Sequence, residues 1–181
     1  MRAFVAVFPP PEVRKKALVA ARRLPSANRV RWARPENVHL TLKFLGDVRE
    51  ESLDSLSAAL GEVCGGHAPF DAALAGLGAF PSARRARVLW AGVDAGSDQL
   101  RSLAADIDAA LAPLGFEREK RPYVPHLTLG RIRGQPASFD LPSSIEDLGF
   151  RVLHVELMES VLTAEGAIYR TVDTFALEDR S

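Results

Sequence analysis

The chain has 181 residues, which is enough for one well-packed domain or two small fused lobes. Its composition, 47% hydrophobic and 25% charged, is ordinary for a globular protein and argues against a disordered chain. The formal net charge is zero, but residues 1–48 carry ten Lys or Arg against three acids, so a local basic surface that attracts phosphate is not excluded.

The lone cysteine, Cys64, rules out an intrachain disulfide and suits a reducing compartment. The opening apolar run, residues 2–8, is too short for a membrane span and lacks the length of a signal-peptide core. We interpret this run as a buried first strand, and we expect a cytoplasmic protein that has no membrane partner.

Hydrophobic periodicity predicts three main helices. The first covers Pro11–Leu24 and begins with prolines, which a first helical turn tolerates. The second covers Glu51–Val63 and ends at a Gly-Gly pair, and Ser97 is expected to cap the third. Strand-like runs lie at residues 2–8, 30–33, 38–45, 69–79, 86–93, 126–132, 150–162 and 168–177. About eight strands, mixed with helices rather than strictly alternating, predict an α+β or α/β domain.

One short motif, His-Leu-Thr-Leu, occurs twice. It begins at His39 and again at His126, 87 positions later, an offset close to half the chain length. Two lobes related by a pseudo-twofold axis are the economical interpretation, with the two motif strands facing each other across a central cleft. No low-complexity linker separates the halves, so we predict a single bilobal domain over residues 1–181.

The motif residues suit proton transfer at a phosphate. In a strand, His39 and Thr41 lie on one face, as do His126 and Thr128, while the leucines point the other way. Histidine, with an unperturbed pKa of about 6.5, gives and takes protons near neutrality. Two histidines on opposite sides of a phosphorus centre suit in-line displacement, and threonine hydroxyls can donate to the non-bridging oxygens. One such histidine is more often a core residue, but two mirrored copies favour a functional pair.

Other uses of histidine fit less well. Zinc sites require a third histidine, a cysteine or a carboxylate at ligand spacing, and neither motif has one. A serine hydrolase would need a nucleophile on a sharp turn such as G-x-S-x-G, and nucleotide hydrolysis would need a glycine-rich phosphate loop. The sequence contains neither motif.

The two motifs resemble the paired H-x-T-x signature of the 2H phosphoesterases. The residues from Arg31 to Gly46 around the first motif resemble the bacterial and archaeal RNA 2′,3′-cyclic phosphodiesterase branch, historically called 2′-5′ RNA ligases. The resemblance spans essentially the whole chain and includes residues 87–90, residues 121–125 and residues 160–162 with Gly166 and Tyr169.

This resemblance implies an α+β bilobal fold, in which each lobe has an antiparallel sheet with helices outside and the catalytic cleft lies between the lobes. It implies opening of a terminal 2′,3′-cyclic phosphate on RNA to a 2′-phosphomonoester, without a metal or cofactor. His39 would be the proton donor to the 3′ oxygen and His126 the proton acceptor from water, while Thr41 and Thr128 hold phosphoryl oxygens. The partners would be RNA ends, with tRNA fragments as one candidate, and a monomer would suffice.

Three further residues are candidates for substrate binding. Phe44 and Arg131 stand five positions after the motif histidines and match family positions that contact the nucleotide, Phe44 by stacking and Arg131 by pairing with phosphate. Five is an odd offset, so a regular strand would turn both side chains away from the cleft unless it bulges near Lys43 and Gly130. Core packing is therefore an equal alternative for Phe44. Lys43, at an even offset from His39, is expected to share its face and to supply charge to the phosphate.

Two other functions stay open. The same pair of histidines would join or cleave 2′-5′ linkages in RNA if a 5′-hydroxyl took the place of water. A binding module would instead hold RNA ends without turnover, although the presence of both histidines and both threonines argues against a dead site.

Overall fold

The computed structural model describes residues 1–146 and 148–179. This part of the chain contains three α-helices, α1 (Pro11–Arg22), α2 (Leu53–Cys64) and α3 (Ser97–Leu111). None of the helices in these residues is long and apolar enough to cross a membrane. The helices lie where the sequence predicts them, with ends that differ by a few residues.

The described residues also contain nine strands, all paired in antiparallel fashion in one curled sheet. The strands are β1 (Arg2–Val7), β2 (Val30–Trp32), β3 (Leu40–Asp47), β4 (Phe70–Phe80), β5 (Val88–Val93), β6 (His126–Ile132), β7 (Leu148–Val152), β8 (His154–Thr163) and β9 (Gly166–Ala176). Their order is β7-β4-β5-β6-β3-β1-β8-β9, and β2 pairs with residues 130–132 of β6, beyond the point where β6 meets β3. Three helices with an antiparallel sheet make an α+β fold, as predicted.

Apart from β2, the sheet consists of two four-stranded halves that meet where Leu40 of β3 pairs with Leu127 of β6. One half has the order β3-β1-β8-β9 and the other β6-β5-β4-β7, so each motif strand lies at the inner edge of its half. The predicted pair of antiparallel lobes is confirmed, but the lobes share one continuous sheet. The C-terminal hairpin β8–β9 joins the N-terminal strand β1, so the lobes are not simply the two halves of the chain. That residues 1–181 form a single domain stays a prediction.

Two predictions about element boundaries are wrong. The run 150–162 is not one strand, because the chain changes partners at the exposed Leu153: β7 pairs with β4, whereas β8 pairs with β1 and β9. Ser97 is the first residue of α3 and not its cap, since Gly96 occupies that position with a left-handed φ of 83°. A Cβ on Gly96 would lie 2.6 Å from the carbonyl oxygen of Asp71, so both the turn and the close approach favour glycine.

The motif leucines anchor the central strands in the main hydrophobic core. This core is formed by one face of the sheet and the apolar stripes of the helices, and full burial of each such leucine contributes roughly 1.5–3 kcal/mol. Its most central members are fully or almost fully buried: Leu40, Leu42, Leu127, Leu129, Leu56, Leu60, Leu103 and Ile107. The polar residues of the motifs are left on the other face of the sheet.

Candidate active site

A β-bulge in strand β3 determines which side chains accompany His39. Thr41 and Lys43 pair with two successive residues of β1, so Leu42 between them has no partner of its own. Leu42 and Lys43 both point into the interior. Such a bulge reverses the alternation of side chains along the strand. Phe44 therefore lies on the same face as His39 and Thr41, in spite of its odd offset, and 70% of its surface is exposed. The alternative of ordinary core packing for Phe44 is wrong.

Strand β6 has the equivalent bulge. Thr128 and Gly130 pair with adjacent residues of β5, which leaves Leu129 as the extra residue. The reversal places Arg131 on the face of His126 and Thr128, where its side chain is exposed. Gly130 is suited to this place, since a Cβ there would come within 2.5 Å of the side chain of Val30. The two motif strands thus repeat both the sequence and its backbone irregularity.

The prediction that Lys43 shares the His39 face is wrong. Its ammonium group is buried beneath the sheet, 2.6 Å from Oδ1 of Asp108 and 2.8 Å from the carbonyl oxygen of Glu117. Burial alone would raise the pKa of Asp108, but hydrogen bonds from Lys43, the Glu119 amide and Arg118 outweigh it and hold that pKa below its ordinary value. Lys43 therefore joins β3 to α3 and the loop after it, and it is not placed to meet a phosphate in the cleft.

The imidazole of His39 is oriented by hydrogen bonds on both nitrogens. Its Nδ1–H donates to the carbonyl oxygen of Asn37 over 2.7 Å, because a carbonyl can only accept. In the neutral ring Nε2 then carries the lone pair, and it accepts the hydroxyl proton of Thr41 over 2.9 Å. The reactive nitrogen of His39 is therefore Nε2.

His126 is oriented in the same way. Its Nδ1–H donates over 2.7 Å to the carbonyl oxygen of Val124, which again lies two residues before the histidine. Leu40 pairs with Leu127 in antiparallel register. One residue to either side, this register places His39 opposite Thr128 and Thr41 opposite His126. The predicted group of two histidines and two threonines is therefore brought together at the junction of the two halves.

Aromatic rings surround both imidazoles. Phe4 stacks on His39 with ring centroids 4.8 Å apart, Phe8 lies at 5.2 Å, and Tyr169 meets the ring edge-on at 5.3 Å. On the other side of the junction, Phe80 lies edge-on to the ring of His126 at 5.1 Å and Trp90 lies at 6.0 Å. These rings fix the imidazole positions and exclude water from one side of each.

This environment lowers the pKa of His39 from 6.5 to about 4. Burial is the main cause, because it disfavours the charged ring; the hydrogen bond to the Asn37 carbonyl opposes it, and the positive charges of His126 and Arg14 add to the lowering. In the free protein near neutral pH, His39 is therefore uncharged.

Several residues at the site lie outside the two histidine motifs and were not predicted as site residues. Tyr169 comes from strand β9, on the far side of its half of the sheet, and Arg14 from α1, where its guanidinium lies 5.7 Å from the Phe8 ring centroid. The alternation of Phe4 and Phe8 along the first strand places them on one face, but only the pairing with β3 brings that face to His39. Within the described residues, no group of three or more His, Cys, Asp or Glu side chains is arranged to hold a metal ion.

The fold and site define a class: a curled antiparallel sheet with two inner strands that each present a histidine and a threonine is the architecture of the 2H phosphoesterases. The sequence model of the family described as LigT like Phosphoesterase matches residues 7–90 and 92–169, and the chain belongs to this family.

Curated relatives and solved structures agree with this assignment. The chain is 36% identical to an RNA 2′,3′-cyclic phosphodiesterase of Methanothermobacter thermautotrophicus, over 98% of this chain and 99% of that protein. It is also 36% identical to a protein of the same name from Archaeoglobus fulgidus, over 97% of this chain and 99% of that protein. The crystal structure of TT0787 of Thermus thermophilus superimposes with a TM-score of 0.88 at 31% identity over the whole of both chains. E. coli LigT complexed with 3′-AMP gives a TM-score of 0.85 at 27% identity over 97% of each chain.

Proposed function

We propose that this protein hydrolyses the terminal 2′,3′-cyclic phosphate of RNA to a 2′-phosphomonoester, with His39 and His126 as the proton-transfer pair. The observation that carries the proposal is the mirrored orientation of the two imidazoles. Each uses Nδ1–H to hold a backbone carbonyl two residues earlier, so Nε2 is the nitrogen that exchanges a proton with substrate, and substrate takes the place of the Thr41 hydroxyl at Nε2 of His39. The name shared by the relatives, RNA 2′,3′-cyclic phosphodiesterase, supports the same reaction.

In this mechanism His126 takes a proton from water as the water oxygen attacks phosphorus. The bond between phosphorus and the 3′ oxygen breaks, and His39 gives its proton to that oxygen, which becomes the 3′-hydroxyl. Thr41 and Thr128 donate hydrogen bonds to the non-bridging oxygens, where negative charge accumulates. Each proton transfer contributes on the order of 10²–10⁴ in rate. After the reaction, both histidines regain their starting protonation states by proton exchange with solvent. None of these proposed steps uses a metal.

The role of His39 as acid requires a proton that it lacks in the free protein. Burial holds its pKa at about 4, so the ring is neutral before substrate binds. A cyclic phosphate brings a negative charge next to Nε2, and an adjacent opposite charge favours the protonated imidazole. We therefore expect binding of substrate and protonation of His39 to be coupled. The assignment of acid and base comes from the family resemblance, since the two imidazoles are nearly equivalent in orientation.

The remaining contacts follow from the two bulges. Phe44, exposed on the face of His39, offers a ring on which a base can stack, and Arg131 offers a guanidinium to phosphate. The proposed partner is accordingly an RNA end that carries a cyclic phosphate. A monomeric state and a cytoplasmic location stay predictions.

The test is turnover of a dinucleotide with a 2′,3′-cyclic phosphate end, measured with and without a metal chelator. His39→Ala and His126→Ala are each expected to abolish turnover, while the wild-type rate is unchanged by the chelator. His67→Ala is the matched control, because His67 follows α2 and contacts Asp106 of α3, on the helix side of the sheet. Retained turnover in either cleft variant, or loss of wild-type activity with chelator, would contradict the two-histidine mechanism.

A further inference from the structure

The residue that orients each motif histidine differs between the two halves of the sheet. Asn37 and Val124 each accept a hydrogen bond from their histidine through the backbone carbonyl. The side chain of Val124 is apolar and 45% exposed, so it cannot hold that carbonyl in place by a hydrogen bond. Asn37 instead carries an amide, which can donate two hydrogen bonds. The two motifs therefore match at the histidine but not at the group that orients it.

The side chain of Asn37 is bonded to strand β9. Its Nδ2 donates to the carbonyl oxygen of Ala167 over 3.0 Å, across 130 positions of the sequence. A carbonyl oxygen only accepts, so the NH₂ end of the amide is the end that faces Ala167. Strand β9 lies at the edge of the sheet, separated from β3 by β1 and β8. One hydrogen bond thus connects the start of the central strand to the outermost strand of the same half.

This hydrogen bond fixes the surroundings of the His39 ring on two sides. The backbone carbonyl of Asn37 accepts Nδ1–H of the ring over 2.7 Å. Tyr169 stands two residues after Ala167 in β9, on the same face of that strand, and meets the ring edge-on at 5.3 Å. The amide of Asn37 therefore holds both the acceptor at Nδ1 and the strand that carries Tyr169.

The turn that contains Asn37 is held at its other end as well. Residues Pro35–Asn37 form a single helical turn, and Arg14 of α1 donates from Nη1 to the Pro35 carbonyl over 3.1 Å. The turn leads through the fully buried Val38 directly to His39. Because catalytic side chains have to be held within about 0.5 Å of their productive positions, these two attachments of the turn bear directly on His39.

We propose that Asn37 is a positioning residue for the proton donor His39, because its amide fixes the carbonyl that holds Nδ1–H and so aims Nε2 at the 3′ oxygen. The ribose ring holds that oxygen in place, so the donor has to be aligned with it, whereas a water molecule can adjust its position to the base. This difference accounts for an anchored carbonyl at His39 and none at His126. The inference rests on the proposed function, since it concerns the proton donor of that reaction.

Two variants remove the hydrogen bond in different ways. Asn37→Asp keeps the shape of the side chain, but a carboxylate only accepts, and Asn37→Ala removes the group without adding charge. For opening of a 2′,3′-cyclic phosphate dinucleotide, kcat is expected to fall by roughly ten- to hundredfold in both, since misplacing a catalytic group by about 1 Å costs on the order of 10²-fold. KM is expected to change little. The matched control is Asn28→Asp at the other asparagine of the chain, which is exposed, and it should retain the wild-type kcat.

A second substrate distinguishes a role in proton donation from general damage to the site. In this substrate, sulfur replaces the bridging 3′ oxygen of the cyclic phosphate. Water attacks phosphorus as before, the phosphorus–sulfur bond breaks, and the sulfur leaves as a thiolate that needs no proton, because a thiol is a much stronger acid than an alcohol. Both Asn37 variants and His39→Ala are therefore expected to hydrolyse it at nearly the wild-type rate, while His126→Ala remains inactive.

Two results with these substrates would overturn the proposal. An equal loss on the oxygen and sulfur substrates would show that Asn37 supports the fold of the site and not proton donation, and an unchanged kcat of Asn37→Ala on the oxygen substrate would show that its amide is dispensable. If His39→Ala is not rescued by sulfur, His39 is not the donor, and the role of Asn37 fails together with that assignment.

Nitrogen NMR of protein labelled in its histidine side chains tests the orientation without turnover. In the wild-type protein, Nδ1 of His39 is expected to carry the proton at neutral pH; in Asn37→Ala the proton is expected to be shared between the two ring nitrogens, with the His126 signals unchanged. Identical His39 signals in both proteins would contradict the positioning role even in an active phosphodiesterase. The expected change in a protein that hydrolyses no cyclic phosphate would support the positioning role and refute the proposed function instead.

Discussion

Replacing His39 by a side chain that does not titrate is expected to make the protein less sensitive to acid. Burial lowers the pKa of His39 in the folded protein to about 4, against 6.5 for an unperturbed histidine. The unfolded chain therefore binds a proton between these values while the folded chain does not, so this histidine destabilises the fold as the pH falls from 6.5 toward 4. At higher pH the ring is neutral in both states and makes no such contribution.

The size of this effect follows from the same two pKa values. Between about pH 8 and about pH 5, the linkage relation gives a loss of about 2 kcal/mol in the free energy of unfolding from His39 alone. Other groups that titrate in this range contribute equally to the wild-type protein and to a variant at position 39, so they cancel in the comparison. The wild-type protein is therefore expected to lose more stability than either His39→Gln or His39→Phe, by this same amount.

The assay is urea denaturation at these two pH values, followed by circular dichroism, with the free energy of unfolding taken by linear extrapolation. The two replacements control for each other, since glutamine keeps hydrogen bonding to Asn37 possible and phenylalanine keeps the packing against Phe4. Both should show the reduced acid sensitivity, whatever their stability at the higher pH. If the free energy of unfolding falls by the same amount in the wild-type protein and in both variants, burial does not hold His39 neutral. In that case the expected coupling between protonation of His39 and substrate binding has no basis.

Two further variants test the consequences of the bulge in β3. Phe44→Ala is expected to raise KM by roughly five- to 160-fold for a cyclic-phosphate dinucleotide, since base stacking on an aromatic ring is worth about 1–3 kcal/mol, with little change in kcat or in urea stability. A fall in stability with unchanged KM would return Phe44 to a packing role. Lys43→Met leaves the carboxylate of Asp108 with only Arg118 and the Glu119 amide as partners and is expected to destabilise the protein by about 1–3 kcal/mol in urea, with kcat/KM of the remaining folded protein nearly unchanged. A Lys43→Met protein of normal stability but with impaired phosphate binding would restore the role expected from the sequence.

The residues that can be predicted from the sequence are those whose signal is local. The two histidines appear in a repeated motif, and the leucines within each motif indicate a buried strand. The repeat alone therefore predicts that His39 and His126 occupy equivalent positions on two strands. The helices follow from apolar periodicity in the same way. The alternation rule also places Thr41 and Thr128 correctly, because both precede the bulges and lie in regular strand.

What the sequence does not contain is the pairing between distant strands. Alternation alone puts Lys43 on the wrong face, because the extra residue, Leu42, is defined only by the register of β3 against β1. The partner of Lys43, Asp108, lies 65 positions away on a helix, and no local pattern connects the two. The same holds for Asn37, whose contact with Ala167 of β9 spans 130 positions, and for Tyr169, which reaches the site from the same strand near the C-terminus.

The central claim is metal-free attack of water on a cyclic phosphate between His39 and His126. The most direct measurement is phosphorus NMR of the products that the wild-type protein forms from a dinucleotide with a 2′,3′-cyclic phosphate, in heavy-oxygen water containing a chelator. The two-histidine mechanism predicts one product, a 2′-phosphomonoester that carries a single heavy oxygen from the attacking water. A 3′-phosphomonoester would show that the other ribose oxygen leaves, and an unchanged substrate would contradict the two-histidine reaction itself.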